Sequence, residues 1–528
     1  MSTEGRAAYA AAALARVPRL LQLLDRDPTS SSYGCFDRAW WHLRTADFPC
    51  GMSEEGALAL ALAATLPIPG SPWHQQARML EWARAAIAFA RRKSHADGSC
   101  DDYYPFERAL GAAVFSLHAL ALAAELVGCT DEDRAFLARR ARWVAAHGES
   151  GTLANHHAIA AAALAVAADV CVLPELRAAA QRKAAEVLAL QHAEGWFTEY
   201  DGCDPGYTTV TVGFLAAYWK RTADASVLPA LVRACDFLES VQQPDGTFGG
   251  EHGARNAHHL NPHGFELLAA QVPAARRIAD RVLLACATGA VAENDDDRLV
   301  VHTPGPLLLA WRDFHERRVQ AEALPLGQKY FSGAGFLVWR IQDKSLIAGL
   351  HKGGGFRVHV RNQLVANDSG VALVAQSGEV LVSHLRHDAQ VSDDGAACLT
   401  TFAPVRREKL TPLKSALLRL FMLGPGRCAR NMVRKILQRR VVATRGASPF
   451  TLQRSFRIEG ADFVVRDVLR AASGAPALRS AACSVGQTSH YTAAAQPWSS
   501  AWLLPWTDLP DAPAALNAGR DHSFERRW

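Results

Sequence analysis

Amide, imidazole and phenol side chains recur at the entrances of helix-forming segments in the first half of the chain. Tyr104, Asn155, Tyr207 and His259 mark four of these entrances at intervals of 51, 52 and 52 residues, and Ser53 marks an earlier one, 51 residues before Tyr104. A helix N-terminus favours an anion, because its backbone N–H groups and its dipole are positive there. Imidazoles and phenols can also transfer protons. The pattern predicts a site for an acidic ligand.

The stretch "GWFTEYDGCDPGYTTVTVGFLAAYW" places three carboxylates and two phenols at the entrance of one such helix: Glu199, Tyr200, Asp201, Asp204 and Tyr207. Glu199 and Asp204 can act as general acid and base, bind a cation, or cap the helix. Asp204 precedes Pro205, which is typical of an N-cap with proline in the first turn. Tyr207 is predicted to point toward a cleft shared by the helix entrances. The alternative is a packed tyrosine with a satisfied hydroxyl.

The stretch "DGTFGGEHGARNAHHLNPHGFE" concentrates imidazole and guanidinium groups in a glycine-rich loop. Its polar residues include Glu251, His252, Arg255, Asn256, His258, His259 and His263. This density predicts a site for an acidic ligand. A metal site is the alternative. However, His258 and His259 are adjacent and would diverge on a helix, which does not favour a shared metal ion.

Two further stretches carry aromatic side chains beside polar ones. Tyr104 in "DDYYPFERALGAAVF" stands at another helix entrance, where Glu107 and Arg108 can simply favour the start of the helix. Trp41 and His42 in "FDRAWWHLRTADF" form an aromatic cluster that suits stacking against a sugar and suits a core equally well.

The elements that must position these residues are helices, from about residue 54 to 320. Segments rich in small residues alternate with segments that carry Arg, Glu and Lys along one face, and the apolar period is near 3.6. The alternation predicts an inner and an outer layer. A repeat near fifty residues with two helices per repeat predicts stacked hairpins, which form an open solenoid or close into a toroid. In a closed double layer, the loops entering the inner helices meet at one end.

After about residue 325 the pattern changes to short β-branched runs broken by Gly, Asn and Asp, which predict an antiparallel β-sandwich. We therefore predict a helical domain over residues 1–322 and a β domain over residues 323–528. A strongly basic, partly amphipathic segment near residues 405–440 is predicted to be a solvated helical insertion in the β domain. Binding to a membrane surface or to an acidic polymer is the alternative.

Composition excludes several classes of protein. Of 528 residues, 49% are hydrophobic and 21% are charged, and we expect no apolar run long enough to cross a bilayer. A net charge of +5 gives no nucleic-acid signature. Eleven scattered cysteines without a CxxC pair argue against disulfides and structural zinc.

The Ala-rich N-terminus, interrupted by Glu4, Arg16 and Arg19, predicts an amphipathic helix rather than a cleaved signal. We expect a cytoplasmic location, with the periplasm as the alternative.

Several motifs taken together point to one family. They are "FDRAWWHLRTADFPCGMSEEGALALALA", "TLANHHAIAAAALA", "EYDGCDPGYTTVTVGFLAAYW", "GGEHGARNAHHLNPHGFE" and "HKGGGFRVHVRNQLVANDSGV". The combination resembles the heparinase II/III-like and alginate-lyase-like polysaccharide lyases over nearly the whole chain. The resemblance implies a multidomain α+β fold, with an incomplete α/α toroid followed by an antiparallel β-sandwich. It also implies an acidic polysaccharide or oligosaccharide as the partner.

The resemblance implies roles for individual residues. Asn155 and His156 would neutralise a uronate carboxylate, and Tyr207 would serve as acid, base or both. Arg255 and one of His258 or His259 would add carboxylate binding and proton transfer. The candidates for substrate binding are Tyr104, Trp41, His42, Glu199, Asp204, Glu251, Asn256, His259 and His263.

The β domain departs from the family pattern at one point. Active members usually carry an HxHxD strand motif, whereas "GGFRVHVRNQLVANDSG" contains only His359 and Asp368. The stretch "SHLRHD", with His384, His387 and Asp388, offers a loose substitute. We therefore predict no cofactor, since the motif does not support zinc in the β domain.

The reaction implied by the resemblance is β-elimination on a 4-linked uronate polymer. It requires neutralisation of the carboxylate, because the C5 proton is otherwise too weakly acidic. Three alternatives remain: C5 epimerisation by the same proton abstraction, hydrolysis by a carboxylate pair drawn from Glu199, Asp204 and Glu251, and non-catalytic glycan binding during polysaccharide assembly.

Overall fold

The computed structural model describes residues 4–149, 151–200, 202–294, 297–316, 324–405, 411–441, 446–484, 495–496 and 506–528. A helical part precedes a part built from antiparallel sheets, so the predicted combination of an α/α toroid with an antiparallel β fold is confirmed. The predicted boundary between residues 322 and 323 lies outside the described residues.

The helices differ in length, and their burial alternates along the helical part of the chain. They are α1 (Glu4–Leu14), α2 (Val17–Leu23), α3 (Arg38–Trp41), α4 (Gly56–Thr65), α5 (Ala77–Lys93), α6 (Leu110–Val127), α7 (Asp131–Ala146), α8 (Ala154–Val170), α9 (Glu175–Leu188), α10 (Pro205–Thr222), α11 (Leu228–Val241), α12 (His263–Leu268), α13 (Pro273–Thr288), α14 (Asp297–Val300), α15 (Pro304–Arg312), α16 (Pro412–Leu423), α17 (Arg430–Val441) and α18 (Asp511–Asn517).

The toroid has an inner ring and an outer layer. The inner helices α4, α6, α8, α10, α12 and α15 contact one another in that order, and α15 also contacts α4, which closes the ring. The outer helices α5, α7, α9, α11 and α13 each pack on the inner helix that precedes them, and α1 packs on α15. The N-terminal helix is therefore the outer partner of the last inner helix.

The small residues of the inner helices let them lie close together. Nearly every residue of α6 and α8 is buried, whereas α5 and α7 bury one face. A Cβ added at Gly264 in α12 would lie 2.6 Å from the Cα of Gly213 in α10, so only glycine permits that contact. By length and composition alone, helix α6 could cross a bilayer, but 89% of it is buried inside the protein, as the core helix of a folded domain is.

The strands are β1 (Thr198–Glu199), β2 (Gly202–Cys203), β3 (Glu293–Asn294), β4 (Gly327–Phe331), β5 (Phe336–Ile341), β6 (Lys344–Gly349), β7 (Gly355–Val360), β8 (Gln363–Asp368), β9 (Gly370–Ala375), β10 (Val380–Val382), β11 (Gln390–Val391), β12 (Ala397–Thr401), β13 (Ala403–Pro404), β14 (Phe450–Glu459), β15 (Asp462–Ala471), β16 (Leu478–Ser484), β17 (Ala495–Gln496), β18 (Trp506–Asp508) and β19 (His522–Arg527). They form three five-stranded antiparallel sheets, in the orders β4-β5-β6-β7-β8, β11-β12-β14-β15-β19 and β13-β10-β9-β16-β18, and the pairs β1-β2 and β3-β17.

The first sheet lies between the toroid and the second sheet. Along β5, Phe336 and Val338 belong to the core of the toroid, whereas Leu337 and Trp339 belong to the core shared with β14 and β15. This alternation follows from the two-residue period of a strand. The first sheet is therefore buried on both faces, and its strand β7 lies close to the glycine-rich loop of the toroid.

Helices α16 and α17 connect strands of the β part but pack on the toroid. Met422 in α16 and Val433 in α17 are buried against Tyr104, with Leu418 and Phe106 beside them. The predicted helical insertion thus covers part of the end at which the inner helices begin.

Candidate active site

Two tyrosines and an arginine meet at the entrance of α10. The guanidinium carbon of Arg255 lies 4.6 Å from the centre of the Tyr207 ring and 4.4 Å from that of Tyr200. The ring of His259 contacts Tyr207 edge-on, with a centroid distance of 4.8 Å. All four side chains are partly exposed. We name these four residues the tyrosine–arginine cluster.

Asp204 holds the backbone that carries this cluster. It is fully buried, and its carboxylate accepts hydrogen bonds from the backbone N–H groups of Tyr207 at 3.1 Å, Arg255 at 2.9 Å and Ala257 at 3.3 Å. Asp204 is thus the N-cap of α10, one of the roles that its sequence suggested. Its side chain has no accessible face in this structure, and its part in substrate binding stays a prediction.

Glu199 and Asn155 form a buried pair under Arg255. The Asn155 Nδ2 donates to both carboxylate oxygens, at 2.9 Å and 2.8 Å, and the Asn155 backbone N–H donates to Oε1 at 2.9 Å. Burial raises the pKa of Glu199 to about 7, against the opposing effects of Arg255 and Asn155. Both residues are inaccessible, which corrects the expectation that they face the cleft.

His156 lies nearer the surface and is held by a carboxylate. Its Nδ1 is 2.6 Å from Oε2 of Glu149, and its ring contacts Phe115 edge-on. A Cβ at position 111 would lie 2.7 Å from the His156 ring, so Gly111 makes room for the imidazole. The other oxygen of Glu149 is 3.6 Å from the guanidinium of Arg434 in α17. His156 is thus linked through Glu149 to the insertion.

The glycine-rich loop is fixed by side chains from the β part. Arg357 in β7 donates to Glu251 at 2.9 Å and 3.1 Å and contacts Nε2 of His258 at 3.3 Å. The Lys352 ammonium donates to Asn256 and to the Gly253 carbonyl. Burial alone would raise the pKa of Glu251, but Arg357 holds it well below its usual value.

The contact between the glycine-rich loop and the β part involves three of the predicted site residues. Glu251, Asn256 and His258 are all buried, at 2%, 5% and 8% exposure. The sequence placed them in the cleft, but their side chains face the β part, because the loop folds back onto β7. The structure thus places these side chains away from the cleft, and their roles in substrate binding and, for His258, in catalysis stay predictions.

His263 lies inside the toroid rather than at its mouth. Its Nε2 is 2.7 Å from Oδ2 of Asp313, and burial lowers its pKa. It lines a cavity of about 20 Å³ together with Asn261, His118 and His302, a volume that admits about one water molecule. His263 thus lies in the interior, and its contact with the substrate stays a prediction.

Three aromatic candidates remain: Tyr104, Trp41 and His42. Tyr104 is buried under α16 and α17 and lines a cavity of about 430 Å³ with Glu107, Trp143 and Arg434. The Trp41 indole donates to the Leu23 carbonyl at 2.7 Å, and His42 is exposed next to it. In the part of the chain that the structure describes, no hydrogen bond or ring contact joins these three to the tyrosine–arginine cluster.

The β-domain residues considered for an HxHxD substitute have structural partners. His359 is 3.3 Å from Asp245 of the toroid, and Asp368 pairs with Arg454 and Arg526. Within the described ranges, no group of three or more His, Cys, Asp or Glu side chains is arranged to hold a metal ion. His387 lies close to Gly202, at the edge of the loop that carries Tyr200.

Three residues of the site were not among the predicted ones. Tyr200 is four residues before the α10 N-cap, so its nearness to Tyr207 could have been inferred from the loop. Glu149 precedes α8 by a few residues and gives no local signal. Arg434 comes from an insertion hundreds of residues away, and its position depends on the packing of α17 over the toroid.

Comparison with known proteins fits this architecture. No family model and no curated protein matches the chain. Among solved structures, the Paenibacillus xanthan lyase superposes with a TM-score of 0.52 at 12% identity, covering 92% of this chain and 47% of its own. The Streptomyces coelicolor chondroitin AC lyase, solved with chondroitin sulphate, gives a TM-score of 0.51 at 11% identity, covering 91% and 68%. The chain has the fold of polysaccharide lyases. It spans about half the length of the xanthan lyase chain, and at these identities the likeness establishes the fold.

Proposed function

We propose that this protein is a polysaccharide lyase that cleaves a uronate-containing polysaccharide by β-elimination. The observation that carries the proposal is the tyrosine–arginine cluster, in which two phenols flank one guanidinium at the entrance of an inner helix. Removal of the C5 proton of a uronate requires a cation that binds the sugar carboxylate and a group nearby that accepts the proton. The cluster contains both. The lyase fold supports the same reading.

In the proposed reaction, Arg255 binds the uronate carboxylate and stabilises the negative charge that develops as C5 loses its proton. Tyr207 accepts this proton as a phenolate, a form that the neighbouring guanidinium favours. The C5–H electron pair forms the C4=C5 double bond, the C4–O bond breaks, and the leaving oxygen takes a proton from Tyr207 or Tyr200. The products are an unsaturated uronate end and a new hydroxyl end.

Asn155 and Glu199 have a supporting role in this proposal. Because Asn155 is inaccessible and bound to Glu199, the neutralisation of the substrate falls to Arg255 rather than to Asn155. The Glu199 carboxyl lies in the electrostatic field of Arg255 and helps to hold the guanidinium at the entrance.

Hydrolysis by a carboxylate pair is disfavoured by the surroundings of the three candidates. Glu199 is hydrogen-bonded to Asn155, Asp204 caps α10, and Glu251 is paired with Arg357, and all three are buried. A glycosidase needs two carboxyl groups that reach the scissile bond from opposite sides of the sugar. None of these carboxylates is accessible to do so.

The test is incubation of the full chain with a panel of uronate polysaccharides, followed by ultraviolet absorbance of unsaturated uronates and mass analysis of the products. Tyr207→Phe is expected to lose this absorbance by at least about a hundredfold, since it removes the proton-transferring oxygen and keeps the ring. Tyr33→Phe is the matched control, because Tyr33 bonds to Glu81 on the outer layer. The rate of Tyr200→Phe then shows how much each of the two phenols contributes to proton transfer.

Three outcomes would contradict the proposal. Wild-type rates in Tyr207→Phe would exclude Tyr207 as the base. Deuterium uptake from the solvent at C5 without chain cleavage would identify an epimerase. Polymer binding without turnover of any uronate polysaccharide would leave a non-catalytic glycan-binding protein.

A further inference from the structure

Helices α16 and α17 carry several exposed large apolar side chains. We define the basic hairpin as residues 411–441, which include both helices. Its exposed apolar residues are Leu413 (70%), Leu417 (57%), Leu420 (67%), Phe421 (41%), Leu423 (44%), Met432 (55%) and Ile436 (45%). Single exposed apolar residues are normal on a protein surface, but a cluster of this kind marks an interaction site.

The spacing shows that four of these residues form one face of α16. Leu413, Leu417, Leu420 and Phe421 are separated by four, three and one positions, which places them on one side of α16. The opposite side packs on the toroid through Leu418 and Met422. The hairpin is therefore anchored by its inner side, and its outer apolar face takes no part in that packing.

The charge of this segment differs sharply from that of the rest of the chain. Residues 411–441 contain eight Lys and Arg residues and no Asp or Glu, whereas the whole chain has a net charge of +5, so the remaining residues are net negative. Lys414 is exposed between Leu413 and Leu417, and Arg430 is partly exposed at the start of α17. Basic groups thus accompany the apolar face.

We propose that the basic hairpin docks on the surface of a lipid bilayer that contains anionic lipids. An amphipathic helix of this type lies in the plane of the interface, with its apolar side chains at the acyl boundary and its basic groups against the lipid headgroups. A second copy of this chain fits less well, because two hairpins of the same positive charge would have to meet. An acidic polysaccharide would satisfy the charge and leave the leucine face exposed.

This proposal does not depend on the proposed function. The test is co-sedimentation of the full chain with phosphatidylcholine vesicles, with and without phosphatidylglycerol. We expect binding to the anionic vesicles, and a loss of at least about tenfold in partitioning for Leu417→Glu with Leu420→Glu, because charged groups replace apolar ones at the acyl boundary. The matched control is Val172→Glu with Leu326→Glu, two residues exposed elsewhere by 74% and 67%.

The hairpin variant changes only exposed side chains, so its circular dichroism and melting temperature are expected to match those of the control. Failure of the wild-type protein to bind anionic vesicles would overturn the proposal. Equal losses of vesicle binding in the two double variants would overturn it too. Binding to an acidic polysaccharide in place of vesicles, if lost in the hairpin variant, would assign the surface to that polymer. A dimer that dissociates only in the hairpin variant would assign it to a second copy.

Discussion

The guanidinium of Arg255 lies between the rings of Tyr207 and Tyr200, with its central carbon 4.6 Å and 4.4 Å from the two ring centres. A cation beside an aromatic face gains about 0.5–2 kcal/mol, depending on how far it is shielded from water. The backbone of Arg255 is fixed by Asp204, which also fixes that of Tyr207. One buried carboxylate therefore sets the positions of the cation and the phenol together.

We predict that Arg255→Gln lowers kcat/KM by about a hundredfold to a thousandfold on the polysaccharide that the wild type cleaves, mainly through kcat. The charge that Arg255 stabilises grows as the C5 proton leaves, so its loss affects the transition state more than the bound substrate. Arg255→Lys is expected to retain part of the rate, since it keeps the charge and loses the planar group. Steady-state kinetics of the two variants provide the test.

Unchanged kcat in Arg255→Gln with a raised KM would show that Arg255 only binds the substrate. The control is Arg361→Gln, an arginine on the exposed turn between β7 and β8, which is expected to leave both constants at their wild-type values.

We predict that Glu199→Gln becomes more stable relative to the wild type as the pH rises. The folded-state pKa of Glu199 is raised to about 7 from 4.5 by burial. The contribution of Glu199 to the free energy of unfolding is therefore fully present below pH 4.5, and it is lost as the pH rises through 7. Because glutamine does not titrate, the difference in unfolding free energy should shift toward the variant by about 3 kcal/mol between pH 4 and pH 8.

Melting temperatures of both proteins at pH 4, 5, 6, 7 and 8 measure this shift. Glu379→Gln serves as the control, because Glu379 is exposed. A constant difference between Glu199→Gln and the wild type across this range would mean that Glu199 does not have a raised pKa in the folded protein.

We predict that Arg357→Met destabilises the protein and also lowers its activity. Arg357 is 2% exposed, and its removal leaves the Glu251 carboxylate buried without its main cation. Breaking one side of a buried ion pair costs about 3–5 kcal/mol. The same loop carries Arg255 and His259, so we expect kcat to fall as the loop loses its support.

Adding Glu251→Gln to Arg357→Met should recover part of the lost stability, because the unpaired charge is then absent. Melting temperatures of the two single variants and the double variant measure this coupling. Additive losses would show that the two side chains do not stabilise each other. Arg361→Met, on the same hairpin of strands, should leave the melting temperature unchanged.

The helical scaffold could be predicted from the sequence, because the patterns that specify it are local and recur along the chain. The period near fifty and the small-residue helices predict an inner ring, and Asp204 before Pro205 predicts the cap that is observed. Tyr207 at the entrance of α10 was predicted to face a cleft, and its ring lies partly exposed beside Arg255. These features depend on spacing within one or two hairpins.

Several side chains that the sequence placed in the cleft are buried in the structure. Their positions depend on partners that are distant in the sequence. Asn155 carries an amide at a helix start, as expected of a ligand-binding group, but Glu199 takes both hydrogen bonds of that amide. Glu251 and His258 belong to a loop rich in ligand-binding residue types, but Arg357 arrives from a strand about a hundred residues later. Local composition does not reveal which side of a loop a later domain will cover.

We predict that Arg434→Gln loosens the basic hairpin from the toroid. Arg434 is the cation next to two buried carboxylates, 3.6 Å from Glu149 and 4.0 Å from Glu107. Burial raises the pKa of Glu107 to about 7, and Arg434 acts against that rise. Without Arg434 the hairpin should open more often, and trypsin should cleave it roughly tenfold faster, since cleavage follows the population of the open form.

The matched control is Arg419→Gln, which removes another basic contact between the hairpin and the toroid. Arg419 pairs with Asp47, but both side chains are more than a third exposed, and an exposed pair contributes little. We expect its cleavage rate to stay within about twofold of the wild type. Equal acceleration in the two variants, measured by mass analysis of the hairpin fragments, would show that the buried Arg434 contacts do not hold the hairpin in place.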